Sequence, residues 1–125
     1  MAVTHSTAAA NAGIDTIVDL IDAGSTVTQG TIQWATSGNA TLCATDLQDP
    51  AFGTAAAKTA TLLGVPLTSS GATAGTVAKA FFQDKDNTEV FRCAVGTSGS
   101  DINLSGVVLG TSETITINSL TYSVA

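Results

Sequence analysis

From Thr28 onward the chain is divided into short stretches of alternating apolar and polar residues, with turn residues about every 8–12 positions. A strand of that length buries too little by itself. A chain built this way has to close its strands over one another as an antiparallel β-sandwich or barrel of about seven or eight short strands. The strand-like stretches are 28–35, 40–47, 56–68, 76–83, 88–95, 102–109 and 113–124. In the first, Ile32 and Trp34 share a face opposite Gln33. In 56–68, Thr59, Thr61, Leu63, Val65 and Leu67 keep one register. In the last, Ile115 and Ile117 are followed, after a shift at Asn118-Ser119, by Leu120, Tyr122 and Val124. Ser37-Gly38-Asn39, the hairpin tip Asp84-Lys85-Asp86-Asn87 and the glycine-bearing 96–100 segment mark turns. Pro50 has no amide proton and interrupts the ladder after Asp49, and Phe52 is expected to anchor that loop.

Only the N-terminal segment has a helical period. Ile14, Ile17, Val18 and Ile21 follow i, i+3, i+4, i+7 spacing and form one apolar stripe. Ser6 or Thr7 supplies an N-cap, the alanines at 8–10 favour helix, and Gly24 suits the left-handed position past the end. These signals predict a helix over about residues 7–23. Asp15, Asp19 and Asp22 fall mostly off the stripe, on the side expected to be solvated. They oppose the helix dipole slightly, so docking of the stripe must hold the helix. The stripe is the candidate assembly interface, docking the sheet, a sister subunit or a larger shell; the alternative is that all four residues belong to the chain's own core.

The 125 residues make one domain, with the helix followed by a β region from about 27 to 125. Aromatic residues are only 5% of the chain, so Val, Ile, Leu and Ala must build the core. The net charge of −6 and four scattered basic residues (Lys58, Lys79, Lys85, Arg92) argue against nucleic acid and anionic membranes as partners. No apolar run approaches the roughly 20 residues of a spanning helix, and no basic segment opens a signal peptide. The expectation is a protein made and kept in a cytoplasm, or assembled there into something larger. Cys43 and Cys93 read as two thiols acting as small hydrophobes, which could bridge only if their strands paired.

Chemistry-bearing patterns are few, because only 11% of residues are charged and His5 is the single histidine. The Asp84–Glu89 run is oxygen-rich, but it lacks the glycine and terminal glutamate of an EF-hand, so a solvated hairpin tip is the better reading. The 96–101 run lacks the Gly-Lys-Ser/Thr and the following helix of a phosphate loop. His5 precedes any ordered pattern, which disfavours a triad, and most acids lie on the helix or in turns, which disfavours a glycosidase pair. No catalytic, metal or cofactor residue is assigned. A carbohydrate-binding platform would need Trp34 or Tyr122 exposed, whereas both alternate as core residues.

Four segments carry a resemblance: Ile14–Gly24 (IDTIVDLIDAG), Leu47–Gly53 (LQDPAFG), Val95–Leu104 (VGTSGSDINL) and the closing 114–124 strand. Together they are similar to small virion structural proteins of tailed bacteriophages. Those proteins open with an amphipathic helix, carry a DPAFG-like loop, and end in GTSGADLNL-like and ITIxSLT-like segments. The two cysteines and Trp34 depart from that pattern. The resemblance implies a non-enzymatic virion component, most naturally a capsid decoration (cement) protein on the phage head. Its partners would be the major capsid protein and its own copies, with a homotrimer suited to three-fold lattice positions. The alternative is a tail, neck or fibre-base component.

Overall fold

The computed structural model describes residues 3–123. Helix α1 runs from Thr7 to Asp19 and continues as a 3-10 turn over Leu20–Asp22. Its N-cap is Ser6, whose Oγ accepts the Ala9 amide at 3.2 Å. Gly24 follows the last turn at φ +102°, where any Cβ would lie 2.7 Å from the Asp86 carboxyl carbon. Both helix boundaries therefore fall where the sequence placed them.

Among the described residues eleven strands follow: β1 (Thr31–Ala35), β2 (Thr41–Asp46), β3 (Thr59–Thr61), β4 (Leu67–Thr68), β5 (Gly75–Thr76), β6 (Lys79–Gln83), β7 (Glu89–Gly96), β8 (Ile102–Asn103), β9 (Val108–Leu109), β10 (Thr116–Ile117) and β11 (Thr121–Ser123). Five of them make one sheet in the order β2-β1-β6-β7-β8, and the rest pair as β10-β4, β11-β3 and β5-β9. The fold is mainly β, a curled multi-strand sheet with one N-terminal helix. All ladders are antiparallel except β7–β8, which the short 97–101 loop brings alongside in parallel. That return is tight: a Cβ on Gly96 would sit 2.4 Å from Ser100 Oγ.

Four of the seven expected strands break in two, and each breaks where the chain changes partner. At the start of β6 the Val77 amide donates to Val107 O and the next amide, Ala78, donates to Ala35 O, both at 2.8 Å. The chain thus passes from β9 to β1 within two residues. The 102–109 segment likewise leaves β7 for β5, and 113–123 leaves β4 for β3. In 56–68 the break holds Gly64 at φ +77° and the cis peptide Val65-Pro66. Val124, expected to end the last strand, lies outside the described residues.

The core joins the helix to every ladder. Ile14, Val18, Ile21, Ile32, Trp34 and Phe82 are among its fully buried members. The helix docks with its polar side as well. Asn11, Asp15 and Asp22 each present Oδ1 to a backbone amide of the loop after β2: Lys58 at 2.9 Å, Ala55 at 2.7 Å and Ala51 at 3.0 Å. Asp15 and Asp22, expected in solvent, instead supply the acceptors for the Ala55 and Ala51 amides of this loop. Burial raises the pKa of Asp22, and the Ala51 hydrogen bond offsets part of that rise. Phe52, 4% exposed and bridged to Leu62, anchors the same loop.

Candidate assembly surface

The helix stripe divides between core and surface. Ile14, Val18 and Ile21 are at most 1% exposed and have no surface left for a partner. The chain's own core thus uses these three, and Ile17 alone of the four stays half-buried at the helix's outer edge. One turn on, Leu20 is 50% exposed, an i, i+3 neighbour that extends the apolar edge. Its position off the stripe was the sequence signal for this, since an apolar residue outside the buried face must meet solvent or a partner.

A larger opening lies at the other end of the chain. A groove of about 490 Å³ runs between segments 102–109 and 113–120. Trp34, Leu109, Ile115 and Ile117 contribute to its apolar lining, and among the described residues Glu113 is the one charged residue on its walls. Three edge strands border it: β8 ends the five-stranded sheet, and β9 and β10 each have a single partner. Val108, on β9, is 74% exposed. Edge strands keep one row of N–H and C=O groups outside their own ladder, which suits them to accept an added strand. Alternation alone does not reveal this groove, because it forms only where two segments have left their first partners.

The remaining chemical patterns are absorbed into the scaffold. Asp86 Oδ1 accepts from Ser25 N, Thr26 N and Thr26 Oγ1 at 2.9–3.2 Å, tying the helix exit to the β6–β7 hairpin tip. These hydrogen bonds hold the Asp86 carboxyl below its ordinary pKa. Asp84 Oδ1 caps the same turn by accepting from Asp86 N and Thr88 N, each at 2.9 Å, and Glu89 forms a bidentate pair with Arg92. In the 97–101 loop, Asp101 Oδ2 accepts the Ala94 amide at 3.0 Å and Asn103 Oδ1 accepts Ser100 N at 3.0 Å. His5 is exposed ahead of the helix cap. Among the described residues no group of three or more His, Cys, Asp or Glu is placed to hold a metal ion. Trp34 is 1% exposed and offers no platform, while Tyr122 is half-buried.

No protein-family model, curated protein or solved structure matches this chain.

Both cysteines are free. Cys43 pairs across from Trp34, Trp34 from Ala80, and Ala80 from Cys93, so the thiols share one row with two strands between them. Three strand spacings put them about 14 Å apart, twice the roughly 7 Å that a disulfide spans between Cα atoms. Burial raises the pKa of both thiols, and the Asp101 charge adds to the rise at Cys93. Among the described residues no helix is long and apolar enough to cross a membrane.

Proposed function

We propose that this protein is a non-enzymatic structural component of a tailed-phage virion, a decoration protein that binds the outer surface of the head and cements it. The observation that carries the reading is the groove bordered by β8, β9 and β10, three edge strands around a lining of mixed polar and apolar residues. A cement protein must hold neighbouring capsid subunits together without chemistry of its own. Adding a strand from the shell to such an edge supplies main-chain hydrogen bonds, and the exposed Val108 of β9 supplies apolar contact. Two of the four phage-like segments, 95–104 and 114–124, reach the walls of this groove. The half-buried Ile17 and exposed Leu20 give a second contact, suited to a homotrimer around a three-fold position. The acidic balance suits an outer surface away from packaged DNA.

Gold-labelled antibody electron microscopy of virions that carry the protein tests the reading. Label spread over the head is the expected result. Label confined to the tail, neck or fibre base overturns the head assignment, and absence of the protein from purified virions overturns the virion role.

A further inference from the structure

Aromatic residues are scarce in this chain, yet four of the six converge on one cavity of about 270 Å³. Phe52 and Phe82 are buried there. Phe91 and Tyr122, from β7 and β11, are half-buried. Phe91 stacks on Phe82 with ring centroids 4.4 Å apart and an interplanar angle of 19°. Tyr122 meets Phe91 at 5.1 Å and 58°, so the two outer rings stand at an angle to one another. Asp101 is the only charged residue in the lining among the described residues, and the Ala94 amide donates to its Oδ2 at 3.0 Å. Its field reaches the neighbouring Cys93 thiol, also in the wall.

The rings pack on one another and Asp101 caps the Ala94 amide, and beyond those roles Phe91, Tyr122 and Asp101 border an open cavity. The half-buried rings of Phe91 and Tyr122 and the Asp101 carboxylate line one small volume, and an aromatic face and a carboxylate both favour a cation. A cation with an apolar periphery satisfies both, because it loses little hydration on entry and gains from each wall. A bare metal ion does not, since the walls offer too few oxygen ligands. An anion is repelled by the carboxylate.

We propose that the Phe91–Tyr122–Asp101 cavity is a binding site for an organic cation, an alkylammonium or guanidinium group. The group can come from a free small molecule or from a basic side chain presented by a partner. The site stands independently of the virion assignment, since it uses none of the residues bordering the strand-edge groove except Ile102 and Leu120.

Titration of the folded chain, followed through the ring resonances of Phe91 and Tyr122 by NMR, tests the site. Choline, its uncharged tert-butyl analogue and N-acetyl-arginine methylamide are the probes. Choline or the arginine derivative is expected to shift both rings, with the uncharged analogue roughly tenfold weaker. Tyr122→Leu keeps apolar volume but removes a π face, and Asp101→Asn keeps an acceptor for Ala94 but removes the charge. Each is expected to weaken cation binding severalfold while the amide spectrum stays that of a folded protein. Tighter binding of the arginine derivative assigns the cation to a partner's side chain; tighter binding of choline assigns it to a small molecule. Equal affinity for the uncharged analogue overturns the proposal, as does the absence of any shift at cation concentrations on the order of 100 mM. If either variant unfolds, the comparison of choline with its uncharged analogue on the wild-type chain decides alone.

Discussion

The indole N–H of Trp34 donates to Thr45 Oγ1 at 2.9 Å, with both residues at most 1% exposed. Trp34 stands opposite Cys43 and Ile32 opposite Thr45, so the hydrogen bond crosses diagonally between β1 and β2. It satisfies the one polar group of the largest side chain in the core. Thr45→Val keeps the shape and removes the acceptor, leaving a buried N–H unpaired. The expected cost is about 1–3 kcal/mol in a denaturant titration. Trp34→Phe in the Thr45→Val background should add less than it does alone, because the orphaned donor is gone. Additive losses would show that the hydrogen bond contributes nothing and that only ring volume matters.

Asp15 joins helix α1 to the loop after β2 through the Ala55 amide at 2.7 Å. Asp15→Ala strands that part-buried amide and should destabilise the fold by about 1–2 kcal/mol. Asp15→Asn retains an acceptor and should cost clearly less. Equal losses for the two substitutions in thermal unfolding would mean that charge matters here rather than the hydrogen bond.

The parts of the fold governed by neighbouring residues were legible in the sequence. Ser6, the Ile14–Ile21 stripe and Gly24 set the helix, and Asp84–Asn87 sets the β6–β7 hairpin, because each depends on contacts a few residues apart. The break between β5 and β6 was hidden, since the amides of Val77 and Ala78 diverge toward Val107 and Ala35, neither adjacent in sequence. The solvated reading of Asp15 and Asp22 failed for a related reason. Helical periodicity ranks faces by hydrophobicity, and it does not register that the Ala51 and Ala55 amides of a distant loop take their acceptors from Asp22 and Asp15. The groove and the aromatic cavity share that origin: their walls come from segments that meet only after the chain has changed partners.

Acid should loosen the joint between the helix exit and the hairpin tip. The folded-state pKa of Asp86 lies below its ordinary 3.8, so its contribution is fully present above that value. It is lost as the pH falls through the folded pKa. Asp22 has the opposite sign: its raised pKa means that protonation favours the folded state, an effect lost as the pH rises through that pKa. Asp86→Ala should therefore flatten the fall in melting temperature below the ordinary carboxylate range, and Asp22→Asn should not. An unchanged acid slope in Asp86→Ala would show that the Ser25 and Thr26 contacts carry no pH-dependent stability.

Ile14 and Ile17 sit one turn apart on α1 and separate folding from assembly. Ile14 is 0% exposed, so Ile14→Asp buries an unpaired charge and should abolish folding, while Ile14→Ala should cost about 2–5 kcal/mol. Ile17 is half-buried at the helix edge beside the exposed Leu20, and Ile17→Asp should cost about 1 kcal/mol and leave a folded chain. If that edge joins copies of the protein, the folded Ile17→Asp chain should run as a monomer under conditions where the wild type is oligomeric. Light scattering on the two chains at matched concentration decides the point. Oligomers of the same size would remove the outer edge of α1 from the assembly surface and leave the groove bordered by β8, β9 and β10 to carry it.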